Sequence, residues 1–189
     1  SLCGLKITEV PTVLSPDGRS RPPHLKTWRD GWRHLRFLLL YSPRWLFLYP
    51  GLILMLGGIV TTLGLLDQPK VHTLLYSAIA IIIGFQIVSF AIFTKAFAIT
   101  EGLLPEDPKL KRFLGYVNLE VGLIAGVILL LLGLGGSVYA FRIWESGAFG
   151  ALDPAVTMRL VIPSVTGLAL GVQVIFSSFF LSVLGLKRR

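Results

Sequence analysis

Four arginines near the start of the chain have the chemistry and spacing to hold phosphate. Arg19 and Arg21 close a turn-forming stretch, Ser15-Pro16-Asp17-Gly18-Arg19-Ser20-Arg21, and Arg29 and Arg33 follow four residues apart on a helical pattern. Guanidinium forks match phosphate oxygens in geometry as well as charge. A competing reading is that these arginines meet only the headgroups of a membrane surface. No Asp-x-Asp pair, phosphate-cradling glycine loop, nucleophile elbow or His-Glu-x-x-His is present, so the residues that make or break bonds in soluble enzymes have no counterpart here. His24, His34 and His72 are scattered and Cys3 is the sole cysteine; neither a metal site nor an internal disulfide is expected.

The elements that must position these arginines are mostly apolar. Hydrophobic residues make up 53% of the 189 and charged residues 15%, too little polar surface for a water-soluble chain. The net charge of +8 does not point to nucleic acid, because the cations sit at the ends of apolar runs, where anionic headgroups would meet them. Uncharged or nearly uncharged runs cover 45–66, 71–94, 121–141 and 160–186, each longer than the roughly 20 residues a helix needs to cross a bilayer core. Before them, Leu25, Trp28, Trp32, Leu35 and Leu39 form an apolar stripe at three- and four-residue steps, and Lys26, Arg29, Arg33 and Arg36 form a basic stripe beside it. Adjacent apolar and basic stripes predict an interfacial helix over 25–42, capped by Thr27 with Asp30 three residues on, and turning into the bilayer at Ser42-Pro43. A soluble amphipathic helix packed on a protein domain would share that pattern. Residues 5–14 read as a lone strand and 15–23 as a basic turn with a rigid Pro22-Pro23 exit. The expected fold class is therefore an all-α membrane protein: an amphipathic interfacial helix, then four transmembrane helices, behind a short N-terminal strand and loop.

Charge orients the bundle. Fifteen Lys and Arg lie in 1–44, 95–120 and 187–189, against only Lys70, Arg142 and Arg159 elsewhere. The positive-inside rule then places both termini and the 95–120 connection in the cytoplasm. Lys95, at the edge of its span, is explained by snorkelling. Within the spans, Gln86 and Gln173 are costly in lipid; helix-to-helix hydrogen bonding is the commoner use of such residues, and lining a lipid-phosphate or sugar path is the alternative. An internal repeat is visible: Gly51-Leu-Ile53 matches Gly122-Leu-Ile124, and Gly84-Phe-Gln-Ile-Val88 parallels Gly171-Val-Gln-Val-Ile175. Two similar hairpins are one reading, chance agreement in low-diversity apolar sequence the other.

Several stretches resemble a known family. Glu9-Val10-Pro11, Pro16 to Leu25, Trp28 to Arg36, Glu101 to Pro105, Leu119 to Leu123 and Ser177 to Leu186 look like the C-terminal part of bacterial family-two glycosyltransferases of the dolichol-phosphate mannose synthase type. That resemblance implies transfer of a sugar from a nucleotide donor to a polyprenyl or dolichyl phosphate. The family's cytoplasmic GT-A domain carries the catalytic residues and a Mg or Mn ion. Only the tail of that domain, residues 1–24, would be present here, so 43–189 would serve as the membrane domain. The family's Arg-x-x-Gly-x-Ser-Lys loop, which holds donor and lipid phosphates, is matched in its second half by Gly18-Arg19-Ser20-Arg21, with Arg21 in place of Lys and Ser15 in place of the leading Arg.

The expected role is accordingly to anchor the enzyme and position its lipid, with Arg19, Ser20, Arg21, Arg29 and Arg33 toward lipid or donor phosphate. The chain itself is expected to be inactive and to bind no cofactor. Its expected partners are membrane lipids, polyprenyl or dolichyl phosphate, the catalytic domain and a homo-oligomer, with no nucleic acid; its expected place is a bacterial inner membrane. The rival expectation is a non-enzymatic four-helix membrane protein, such as a flippase subunit for lipid-linked sugars or a scaffold.

Overall fold

The computed structural model describes residues 8–13, 26–41, 44–105, 107, 108, 110, 112 and 118–186. Five long helices account for most of them: α1 Thr27–Tyr41, α2 Tyr49–Leu65, α3 Val71–Thr100, α4 Leu119–Ser146 and α5 Pro154–Leu186. Strands are absent among the described residues. The described part of the expected N-terminal strand, 8–13, is exposed and irregular, as a strand with no sheet edge to pair with must be. The Ser42-Pro43 turn lies outside the described residues.

The α1 helix starts where the stripes predict, but its cap is shifted. The Asp30 carboxylate accepts from the Lys26 backbone N–H at 3.0 Å, one residue before Thr27, the expected capping residue. A π-helical turn, Arg44–Leu48, leads into α2. Pro50 accounts for it: in a regular helix its ring would press on the carbonyl of residue 46, and a wider turn relieves that contact.

All four expected spans are helices long and apolar enough to cross a bilayer, and three of them run further out than the apolar stretches at one end or both. Helix α3 continues past Lys95 to Thr100, α4 carries Arg142 and Glu145 in its last turns, and α5 begins six residues before Leu160. A charge ends an apolar run without ending the backbone ladder, because Lys and Arg are good helix formers. Caps end it instead. Asn118 accepts from the Val121 N–H at 3.1 Å, Asp153 accepts from the Ala155 N–H at 2.8 Å, and Pro154 opens α5, where its missing N–H costs no hydrogen bond. Only 11% to 33% of each span's most apolar stretch is buried inside the chain. The remaining apolar surface needs lipid around it.

The helices pair as two hairpins, α2 with α3 and α4 with α5, joined through α3 and α5. Small residues recur every seventh position along the contacts. A Cβ added to Gly58 would stand 2.7 Å from the Ser77 carbonyl oxygen, and one on Gly133 would stand 2.6 Å from that of Ser164. At Gly84 the added atom would lie 2.8 Å from the Gly51 carbonyl oxygen, and at Gly171 it would lie 2.8 Å from that of Gly126. The repeat is thus real in packing, but its register on the first helices is Gly51 with Gly126, one turn beyond the Gly122 that the sequence suggested. Gly122 instead faces Ser178. A seven-residue period matches the left-handed crossing of close-packed helices, and small side chains let the backbones approach. On the second helices, Ser77, Gly84 and Ala91 correspond to Ser164, Gly171 and Ser178, all buried. Phe93 and Phe180 are also equivalent in this register, and their rings meet at 4.7 Å between centroids. The two hairpins are therefore related by a pseudo-two-fold axis passing between α3 and α5.

At the end of the bundle remote from Lys95, Phe141, Trp144 and Phe149 form an aromatic cluster, and the Trp144 indole donates to the Gly150 carbonyl at 3.2 Å. The turn that builds it puts Ala148 and Phe149 in the left-handed region, at φ 52° and 58°. Replacing Ala148 with glycine should raise stability by about 0.5–1 kcal/mol, since glycine escapes the Cβ clash of that conformation. A thermal melt in detergent that shows no rise would count against that strain.

Candidate functional site

The phosphate-holding residues expected from the sequence fall into two sets. Arg19, Ser20 and Arg21 lie outside the described residues. Arg29 and Arg33 stand on the first turns of α1, where both approach the same Asp30 oxygen at 3.9 Å. At that distance the pairs are loose, and Arg33 is 72% exposed. Such contacts contribute little to stability, leaving both guanidinium groups able to turn toward another anion. Trp28, on the same helix, is 88% exposed, and Trp32 and Leu35 are exposed beside it. The apolar stripe of α1 therefore has no cover within the described chain.

Gln86 and Gln173 do not hydrogen-bond each other or a neighbouring backbone among the described residues, against the expectation that they tie helices together. Each follows its contact glycine by two positions, about 200° around the helix. Gln86 therefore points outward and is exposed. Gln173 is half-buried, and its Oε1 has no partner. Among the described residues, a hydroxyl pair joins two of the long helices instead: Thr62 and Ser77 share a 2.8 Å hydrogen bond between α2 and α3. No group of three His, Cys, Asp or Glu side chains able to hold a metal occurs among the described residues. An open groove of about 290 Å³ between α2 and α3 is lined by apolar residues and glycines together with the hydroxyl-bearing Thr61, Thr73, Tyr76 and Ser77; none of its lining residues is charged.

A second cluster was not legible in the sequence. Arg44, at the start of the first span, donates to the Asp107 carboxylate at 2.5 Å, and the Lys95 ammonium donates to the same oxygen, Oδ2. Lys95 is 17% exposed and Asp107 16%, so Lys95 is no snorkelling side chain in open water but one side of an enclosed ion pair. Below it lie two aromatic pairs: Phe47 meets Phe90 edge-on at 5.0 Å, and Phe93 meets Phe180. Arg44 and Asp107 are 63 positions apart, beyond the reach of any spacing rule.

Comparison with known proteins places this architecture. Residues 92–185 match the family model described as the glycosyltransferase family 2 C-terminal transmembrane region. Over 190 aligned residues, 96% of the chain is 32% identical to a protein of Haloferax volcanii named low-salt glycan biosynthesis hexosyltransferase Agl6. The chain spans 44% of that relative's length, less than half. No solved structure matches. Four helices long and apolar enough to span a bilayer, together with these likenesses, make the chain an integral multi-pass membrane protein that is similar over residues 92–185 to the C-terminal transmembrane region of family 2 glycosyltransferases.

Proposed function

We propose that this chain is the membrane-anchoring and lipid-positioning part of a glycosyltransferase that moves a hexose from a nucleotide donor to a polyprenyl or dolichyl phosphate. The observation that carries the reading is the coincidence of a glycosyltransferase transmembrane region with cations gathered at one end of the bundle: Arg44 and Lys95 directly, and Arg29 and Arg33 on the helix that leads into it. Both termini and the 101–118 connection lie in the cytoplasm on this reading, as the charge bias favours, and the membrane is the cytoplasmic one. Arg29 and Arg33, with Arg19, Ser20 and Arg21 upstream, face the phosphate of the acceptor or donor. Their role is electrostatic and positional, since glycosyl transfer to a phosphate oxygen is favoured by cationic donors that already hold the acceptor phosphate and the departing nucleotide in place. The divalent ion expected for such enzymes finds no donor set among the described residues, and this reading gives it to the catalytic domain of the full-length enzyme.

The test uses the full-length enzyme in membranes, with labelled nucleotide sugar and polyprenyl phosphate. Replacing Arg19 and Arg21 together by alanine should raise the KM for the lipid by about tenfold or more, as expected for losing two charge-assisted phosphate contacts. The 189-residue chain assayed alone should transfer no sugar. Unchanged lipid KM in the double variant would remove the phosphate role, and transfer by the chain alone would overturn its assignment as an anchoring part.

A further inference from the structure

The Arg44–Asp107–Lys95 cluster is more than the fold requires. In the repeat register, Arg44 corresponds to Leu119 and Lys95 to Ser182, so the second hairpin packs by the same small-residue contacts with no charge at either place. The two cations converge on one carboxylate oxygen; Lys95 and Asp107 are largely enclosed beside aromatic rings, while Arg44 is 52% exposed and opens the cluster to the outside. Charges so enclosed are held only by close counter-charges.

We propose that Arg44 and Lys95 form a binding site for the phosphomonoester headgroup of a membrane lipid, and that Asp107 occupies this site as a built-in carboxylate until the lipid displaces it. A phosphomonoester carries roughly −1.5 to −2 at neutral pH, closer to the charge of two cations than one carboxylate is. It also offers a separate oxygen to each donor, where Asp107 makes them share. The position suits a lipid: Arg44 opens the first span and Lys95 lies about one and a half turns inside the end of α3, so a headgroup held there leaves its chain alongside α2 and α3. The inference rests on the membrane placement of the helices and not on the sugar-transfer reading, which would survive its failure.

The experiment is lipid binding to the full chain, read by native mass spectrometry from detergent, with melting temperatures in parallel. The probes are phosphatidic acid, phosphatidylglycerol with the same tails, and inorganic phosphate. Wild type should bind phosphatidic acid about tenfold tighter than phosphatidylglycerol, Lys95→Gln should abolish that preference, and Lys95→Arg should restore it. Asp107→Asn should bind phosphatidic acid several-fold tighter than wild type, about threefold or more, because the internal competitor is gone; an ion pair with a purely structural role would lower the melting temperature and leave affinity where it was. If Asp107→Asn does not fold, the Lys95→Gln/Asp107→Asn pair, which removes opposite charges together, serves in its place and should bind both lipids equally. Equal binding of the two lipids by wild type, or unchanged or weaker phosphatidic acid binding in Asp107→Asn, overturns the proposal. Full displacement of phosphatidic acid by millimolar inorganic phosphate would assign the site to a soluble phosphate and overturn the lipid.

Discussion

Gly171→Ile should separate α4 from α5. A Cβ at Gly171 would already lie 2.8 Å from the Gly126 carbonyl oxygen and 2.9 Å from the Leu130 backbone nitrogen, and backbone atoms of a helix cannot rotate away as a side chain can. Relief would require the helix axes to move apart along the whole seam, losing the close contacts at Gly126, Gly133 and Ser164 as well. The expected loss is about 3 kcal/mol or more, at the upper end of overpacking costs, and it should appear as a lower unfolding midpoint in a detergent titration. Gly57→Ile and Gly135→Ile provide the control, since a Cβ at either position meets nothing within 4 Å; both should leave the midpoint within about 0.5 kcal/mol of wild type. If Gly171→Ile and Gly135→Ile behave alike, the close seam is not what holds the hairpin together.

The second large effect concerns α1. Trp28, Trp32 and Leu35 are exposed in the chain itself, and the reading of α1 as an interfacial helix gives them the headgroup boundary as cover. Substituting all three with alanine removes roughly 1.5–3 kcal/mol of burial for each large side chain, enough to detach a helix of 15 residues that is too short to be stable alone in water. Amide hydrogen exchange in a reconstituted bilayer should then speed up over 27–41 by at least about a hundredfold, while the spans 49–65 and 71–100 keep their protection. Retained protection over 27–41 would mean that another surface, and not the membrane, covers the stripe.

These two seams differ in how far the sequence revealed them. The α1 stripes are visible as periodicity, and the structure starts the helix at Thr27, two residues from the expected start. The spans were visible as apolar length, but their ends were not, because Lys95, Arg142 and Arg159 stop a hydropathy run while remaining helical. Asp153-Pro154 was a readable start signal for α5; the charge at Arg159 masked it. The repeat was readable at Gly84 and Gly171, whose following glutamines mark the register, and misread at Gly122, since Gly122 and Gly126 are both small and only packing tells which faces Gly171. Gln86 and Gln173 were expected to tie helices together because amides are costly in lipid; their position two residues past the contact glycine turns them away from the seam. The Arg44–Asp107–Lys95 cluster depends on three segments brought together by the bundle, and no local pattern encodes it.

The meeting of Phe93 with Phe180 has an evolutionary consequence. Contact between equivalent positions is what a homodimer makes on its symmetry axis. The bundle is in this sense a dimer made covalent, with the 101–118 connection turning a second-order encounter into a first-order one at an effective concentration on the order of millimolar. Fusion of this kind lifts the constraint that both halves share one sequence. Leu119 and Ser182 can then be neutral where Arg44 and Lys95 are charged, so that a pseudo-symmetric scaffold carries this ion cluster on one half alone.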